Sequence, residues 1–201
     1  ILYNKKMLDY KLKSYISENI KLKKDILKNT NILKNIKSEI SSRLQNKGKV
    51  YICGNGGSAA DAQHLAAEFI VRLRPKINRD PYPVVALAMD TSTLTACAND
   101  YGYKYVFSRP LKALATEKDV LIVISTSGNS ENIINALKEA KKKGVFTIGF
   151  LGSGGGKAKK LCKSKYVVNS RNVARIQETH IFLGHFIFEM VEDDLIKKYK
   201  V

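Results

Sequence analysis

An apolar run, a turn of small polar residues and a helical stretch follow one another repeatedly along this chain, and that alternation is what most constrains its fold. Val50-Tyr51-Ile52-Cys53 runs into Gly54-Asn55-Gly56-Gly57-Ser58 and then a helical pattern through Ala67 to Arg72. Residues 84–87 lead into Asp90-Thr91-Ser92 and a helix, and residues 120–124 into Ser125-Thr126-Ser127-Gly128-Asn129-Ser130 and a helix reaching Lys143. Residues 145–150 lead into Gly152-Ser153-Gly154-Gly155-Gly156 and a short helix, and a short strand at 166–168 precedes a long last helix from about Val173 to Lys198. Continuously apolar strands alternating with helices predict an α/β fold whose parallel sheet is covered on both faces. Ligands of such sheets bind beyond the carboxyl ends of the strands, where these polar turns lie.

Before the first strand, from Leu8 to Asn46, apolar residues recur at helical spacing, most clearly Leu33, Ile36, Ile40 and Leu44. Two amphipathic helices broken near Asn29-Thr30-Asn31 are predicted, so the chain divides into N-terminal helices at 1–47 and one α/β domain at 48–201. The net charge of +17 invites a nucleic-acid reading until it is located. Residues 1–50 carry 13 basic and 4 acidic side chains, residues 141–165 carry 8 Lys and no acid, and the rest has 14 of each sign. The charge-balanced part holds the polar turns, the excess is almost all Lys, and Trp is absent, whereas base readout favours Arg forks and aromatic stacking. A solvated lysine surface is expected, with no nucleic acid as partner. Cys53, Cys97 and Cys162 form no CxxC pair and cannot close an even set of disulfides, which fits a reducing, cytoplasmic setting. Lysines interrupt residues 1–9 where a signal peptide needs its apolar stretch, and no apolar run approaches a membrane span; no membrane partner is expected.

The stretch Ser125-Thr126-Ser127-Gly128-Asn129-Ser130-Glu131-Asn132 places hydroxyl groups and the first N–H groups of a helix at one spot, a phosphate site built without Lys. Ordinary capping would need one such residue, not four. Gly54-Asn55-Gly56-Gly57-Ser58 lacks the endings of a Walker or Rossmann loop, and its glycines permit either close approach to a ligand or a tight packing turn. His64 and Glu68, four apart in a mostly apolar helix, share a face, and burial there can tune the carboxylate's proton affinity. In the last helix, Gln177, Ile181, His185 and Phe188 fall on one stripe, while His180 points elsewhere and is read as a core histidine.

Taken together, these segments resemble the sugar isomerase (SIS) domain and, within it, the phosphoheptose isomerases. The matching blocks are Cys53 through Ser58, His64-Leu65-Ala66-Ala67-Glu68, Asn99-Asp100, Ser125 through Ser130, and Arg175-Ile176-Gln177-Glu178 with His185, in family order over about residues 48–192. The resemblance implies a five-stranded flavodoxin-like sheet and a homotetramer. It also implies a sugar-phosphate substrate, and isomerisation of sedoheptulose 7-phosphate to D-glycero-D-manno-heptose 7-phosphate through an enediol, supplying lipopolysaccharide or capsule. Carried over, Glu68 is like the family's general base and His185 like its general acid. His64, Glu68, Gln177 and His185 match residues that hold zinc, one ion per subunit. Asn55, Gly56, Gly57, Ser58, Glu68, Asn99, Asp100, Ser125, Thr126, Ser127, Ser130 and Gln177 match substrate-binding positions. Two other outcomes fit the same fold: a non-catalytic SIS protein that regulates replication initiation, and an SIS isomerase of another sugar phosphate.

Overall fold

The apolar runs form one five-stranded parallel sheet in the computed structural model, which describes residues 5–197. Its strands are β1 (Val50–Gly54), β2 (Val84–Ala86), β3 (Val120–Ser125), β4 (Phe146–Leu151) and β5 (Ser164–Val167), in the order β2-β1-β3-β4-β5. This is the flavodoxin-like order, with its switch point between β1 and β3. Every residue of β1, β3 and β4 is buried, which is why these strands read as unbroken apolar runs rather than alternating ones.

Helices α1 (Lys5–Leu27), α2 (Thr30–Gln45), α3 (Gly57–Ile70) and α7 (Val173–Lys197) cover one face, and α4 (Thr91–Tyr101), α5 (Ser108–Leu114) and α6 (Glu131–Lys142) the other. The stripe Leu33, Ile36, Ile40 and Leu44 of α2 is buried in the same core as Ile52, Ile122 and Ile148 of the sheet. Helix α1 buries only Leu22 and Ile26. The break between α1 and α2 is made by Asn29, whose Nδ2 donates to the Asp25 carbonyl at 3.0 Å and so satisfies the end of α1. None of the 8 lysines in residues 141–165 is buried, as a solvated surface requires.

Two local expectations were too simple. The helix expected after residue 92 is two helices: Asp90 caps α4 by accepting from the N–H groups of Ser92 and Thr93, α4 stops at Tyr101, and a 3₁₀ turn at Tyr103–Tyr105 leads to α5. The short helix expected after residue 156 is a pair of 3₁₀ turns, Ser153–Gly155 and Lys157–Lys160. The expected end of the last helix at Lys198 lies outside the described residues.

His180 is a core residue, fully buried 6.4 Å from the Phe150 ring, and neither ring nitrogen has a hydrogen-bond partner among the described residues. Burial pushes its pKa down to about 4; the Leu151 carbonyl opposes the shift but completes no hydrogen bond with the ring. Between that value and the ordinary 6.5 the unfolded chain binds a proton the folded one does not. The stabilisation is therefore whole above pH 6.5 and is lost as pH falls towards 4. At pH 5 the loss from this group is about 2 kcal/mol. Denaturation of the unaltered chain and of His180→Phe at pH 7 and pH 5 should show the smaller acid loss in the variant; equal losses would refute the assignment.

Candidate active site

The two polar turns flank the switch point. β1 ends at Gly54, whose partner in β3 is Ile124, so the glycine loop and the serine loop leave the sheet side by side. In the serine loop the hydroxyls divide their work. Ser125 Oγ accepts from the Gly128 N–H at 3.0 Å and Ser127 Oγ from the Asn129 N–H at 3.2 Å, which shapes the turn. Ser130 stands at the start of α6 yet makes no side-chain cap, and the Thr126 hydroxyl has no partner among the described residues. An uncapped helix start with two spare hydroxyls is what an anion site needs and what ordinary capping would remove.

The β4–β5 loop braces this turn from behind. Ala158 N–H donates to the Gly128 carbonyl at 2.9 Å and Lys157 N–H to Asn129 Oδ1 at 3.0 Å. Gly128 has φ +64°, and a Cβ there would stand 2.1 Å from the Gly155 carbonyl oxygen, so only glycine fits. The glycine loop is tight in the same way: a Cβ on Gly57 would lie 2.6 Å from Gln177 Nε2. Its close packing thus makes room for a side chain from α7. Ser58 is buried beneath the loop, whereas Gly56 and Gly57 are exposed.

Further along α3, His64 and Glu68 meet His185 of α7. Nε2 of His64 lies 2.7 Å from Nε2 of His185 and 3.4 Å from Glu68 Oε1, with the two rings edge to face at 90°. One ligand atom from each of the three residues lies within 4.8 Å of the others. Two imidazole nitrogens this close repel unless a proton or a cation stands between them, because each neutral ring presents a lone pair or an N–H but not both at one atom. Two imidazoles and a carboxylate suit a zinc ion with a further position open, whose ~2.0–2.2 Å bonds set ligand atoms roughly 3–3.5 Å apart. The residues present therefore fit such an ion. Gln177 lies instead beside Gly57, seven residues before His64 on α3 and so about 10 Å along the helix from it.

Asn99 and Asp100 sit exposed at the end of α4, and the Asn99 side chain donates to Asp100 Oδ1 at 2.9 Å. The Arg175-Ile176-Gln177-Glu178 motif splits by face. Ile176 is fully buried, Gln177 turns to the glycine loop, and Arg175 pairs with Glu178 on the side facing α1, where Arg175 covers the Tyr15 ring and Glu178 accepts from Asn19.

Asp61, Asn132 and Tyr103 also belong to this region, though none was assigned a site role from the sequence. Asp61 lies on the same stripe of α3 as Gly57, His64 and Glu68. Its Oδ2 is buried without a partner among the described residues, and burial raises its pKa against the opposing pull of His64. The three-residue spacing before His64 was the available signal. Asn132 hydrogen-bonds Asn55 in both directions, and the Tyr103 hydroxyl donates to Asn55 Oδ1. No local pattern announces partners so far apart along the chain.

Residues 14–152 match the family model described as SIS domain. The chain is 46% identical to a phosphoheptose isomerase of Clostridium acetobutylicum over 187 residues, 92% of this chain and 94% of that one. It is 45% identical to a phosphoheptose isomerase of Aneurinibacillus thermoaerophilus over 194 residues, 95% of this chain and 96% of the relative. Among solved structures, a phosphoheptose isomerase from Neisseria gonorrhoeae superposes with a TM-score of 0.85 at 38% identity, covering 92% of this chain and 99% of that one.

Proposed function

This chain belongs to the SIS domain family and, within it, to the phosphoheptose isomerases, and on that footing we propose that it converts sedoheptulose 7-phosphate to D-glycero-D-manno-heptose 7-phosphate through an enediol. The observation that carries the reading is the meeting of His64, Glu68 and His185 on the face of α3 that follows the glycine loop, itself beside an uncapped serine loop. Moving a carbonyl between C1 and C2 needs a base that takes a proton from one carbon and returns it to the other, and a donor for the oxygens. Glu68, partly buried and held at the end of α3, is the base. His185 donates to the sugar oxygens, and Ser125, Thr126, Ser127 and Ser130 seat the phosphate so that the far end of the sugar is held in register. Asn55, Gly56, Gly57, Asn99, Asp100 and Gln177 complete the sugar site.

His64, Glu68 and His185 would hold zinc, whereas Gln177, the fourth ligand implied by the resemblance, stands beside Gly57 and is left to the sugar. When bound, the ion supplies Lewis-acid polarisation of the carbonyl oxygen. Four further readings go with the enzyme. The apolar cavity of about 430 Å³ between α1, α2 and α7, lined by Leu27, Leu33, Phe182, Phe186, Ile187 and Met190, supports a homotetramer assembled through the N-terminal helices at 1–47. Unpaired, buried Cys53, Cys97 and Cys162 support a cytoplasmic setting. No helix among the described residues is long and apolar enough to cross a membrane. The product would supply heptose for lipopolysaccharide or capsule.

The test is direct. Sedoheptulose 7-phosphate incubated with the protein should give the aldose, the rate should fall when a chelator is added, and zinc should restore it. Absence of product with and without metal would overturn the isomerase reading in favour of a binding module, and a rate indifferent to chelator would overturn the metal assignment alone.

A further inference from the structure

Three segments of the proposed sugar site converge on one carboxamide, and the direction of every hydrogen bond there can be worked out. The Ile133 backbone N–H donates to Asn132 Oδ1 at 2.9 Å, and a backbone N–H can only donate. That identifies the Asn132 oxygen, and the nitrogen facing it from Asn55 must be Nδ2, at 2.9 Å. Asn55 Oδ1 is then the atom that accepts from Asn132 Nδ2 at 2.8 Å and from the Tyr103 hydroxyl at 2.9 Å. The Asn55 oxygen is saturated with two donors. One N–H of its amide is left over, so toward a ligand this side chain acts only as a donor.

The three residues differ in burial in a telling way. Asn132, on the first turn of α6 behind the serine loop, is 2% exposed, and Asn55 is half-buried. Tyr103, on the 3₁₀ turn after Asn99-Asp100, is 55% exposed and lends its hydroxyl to the glycine loop. A ring so exposed adds little to the core; its one hydrogen bond among the described residues is spent on Asn55.

We infer that Tyr103 and Asn132 are positioning residues for the sugar phosphate, holding the Asn55 carboxamide in a single orientation that offers one N–H to a substrate oxygen. The inference rests on the isomerase reading, since it takes Asn55 as a substrate contact. Tyr103 ties the Asn99-Asp100 segment to the glycine loop through Asn55, and Asn132 ties the serine loop to the same atom pair. Without these partners the carboxamide could turn its carbonyl, an acceptor only, toward the substrate oxygen.

The experiment compares Tyr103→Phe with the unaltered chain on sedoheptulose 7-phosphate, and repeats the comparison in an Asn55→Ala background. Loss of one neutral hydrogen bond should raise KM by roughly threefold to tenfold with kcat nearly unchanged and Tm unmoved. In the Asn55→Ala background the same substitution should do nothing more, because its only route to substrate is gone. A KM within twofold of the unaltered chain would overturn the inference, as would an equal further loss in the Asn55→Ala background or a fall in Tm that accounts for the change. An unaltered chain that neither binds sedoheptulose 7-phosphate by calorimetry nor isomerises it would fail the isomerase reading, and the inference with it. Turnover intact with Tyr103→Phe silent would fail the inference alone.

Discussion

Glu68→Gln should lower kcat on sedoheptulose 7-phosphate by about 10²- to 10⁴-fold, the range lost when a positioned proton-transfer group is removed, while the phosphosugar still binds. The substitution is nearly isosteric, so the packing of α3 against α7 is kept and the effect reads the carboxylate itself. An amide has no basic oxygen strong enough to abstract a carbon-bound proton, whatever holds it in place. Glu68 Oε1 lies 3.4 Å from His64 Nε2, so the carboxylate also serves the cluster, and loss of a metal is the rival cause of any fall in rate. Measuring metal content beside turnover separates the two. A variant that keeps its metal and its calorimetric affinity but not its turnover identifies the base; one that isomerises at the normal rate removes Glu68 from that role.

The parts of this site that were legible in the sequence share one property: their geometry is local. His64 and Glu68 are one helical turn apart, so their shared face follows from spacing alone, and the structure keeps it. The serine and glycine loops were readable because short, β-branched apolar runs followed by small polar residues and a helical pattern read as strands leaving a sheet. Gln177 and His185 were assigned to one stripe of α7, and both do face α3. One stops at Gly57 and the other reaches His64, a separation along the axis that a helical wheel does not record. Asp61 was not singled out although it stands on the His64 and Glu68 stripe, one turn before His64. Asn132 and Tyr103 could not have been found that way, since Asn132 lies 77 residues and Tyr103 lies 48 residues from Asn55 along the chain. The charge illustrates the same limit from the other side. Its location in two segments was plain arithmetic, and six of the eight lysines in residues 141–165 are exposed, with Lys143 and Lys165 partly buried, which agrees with a solvated surface.

A second long-range element carries the largest expected loss of stability. Glu192 of α7 is fully buried, and its carboxylate accepts from Arg74 Nε at 2.5 Å and from Arg79 Nε at 2.6 Å. Arg79, whose side chain is 4% exposed, also donates to the carbonyls of Glu68 and Phe69 at 2.9 Å, the last turn of α3, and its guanidinium lies 4.7 Å from the Tyr82 ring centre. One side chain thus satisfies a helix end, neutralises a buried charge and pins α3 to α7 next to the proposed base. Arg79→Ala leaves the Glu192 charge with Arg74 as its one remaining arginine, itself shared with Asp193. It also takes the Arg79 donor from the Glu68 carbonyl, while the Phe69 carbonyl keeps the Tyr82 N–H at 3.1 Å. Removing one partner of a buried pair costs about 3–5 kcal/mol. At roughly 2–4 °C per kcal/mol for a chain of this size, Tm should drop by roughly 6–20 °C at matched protein concentration. Arg79→Lys should recover only part of this, because an ammonium cannot reach the carboxylate and both carbonyls with a rigid fork. The double variant Arg79→Met with Glu192→Leu should recover more, since it removes the buried charge along with its partner. A Tm within about 2 °C of the unaltered chain for Arg79→Ala would mean that water reaches Glu192 and that the pair is no brace. A Tm loss in Arg79→Ala that the double variant does not reverse would place the stabilisation in the α3 cap rather than in the ion pair, and the position of Glu68 would then depend on that cap alone.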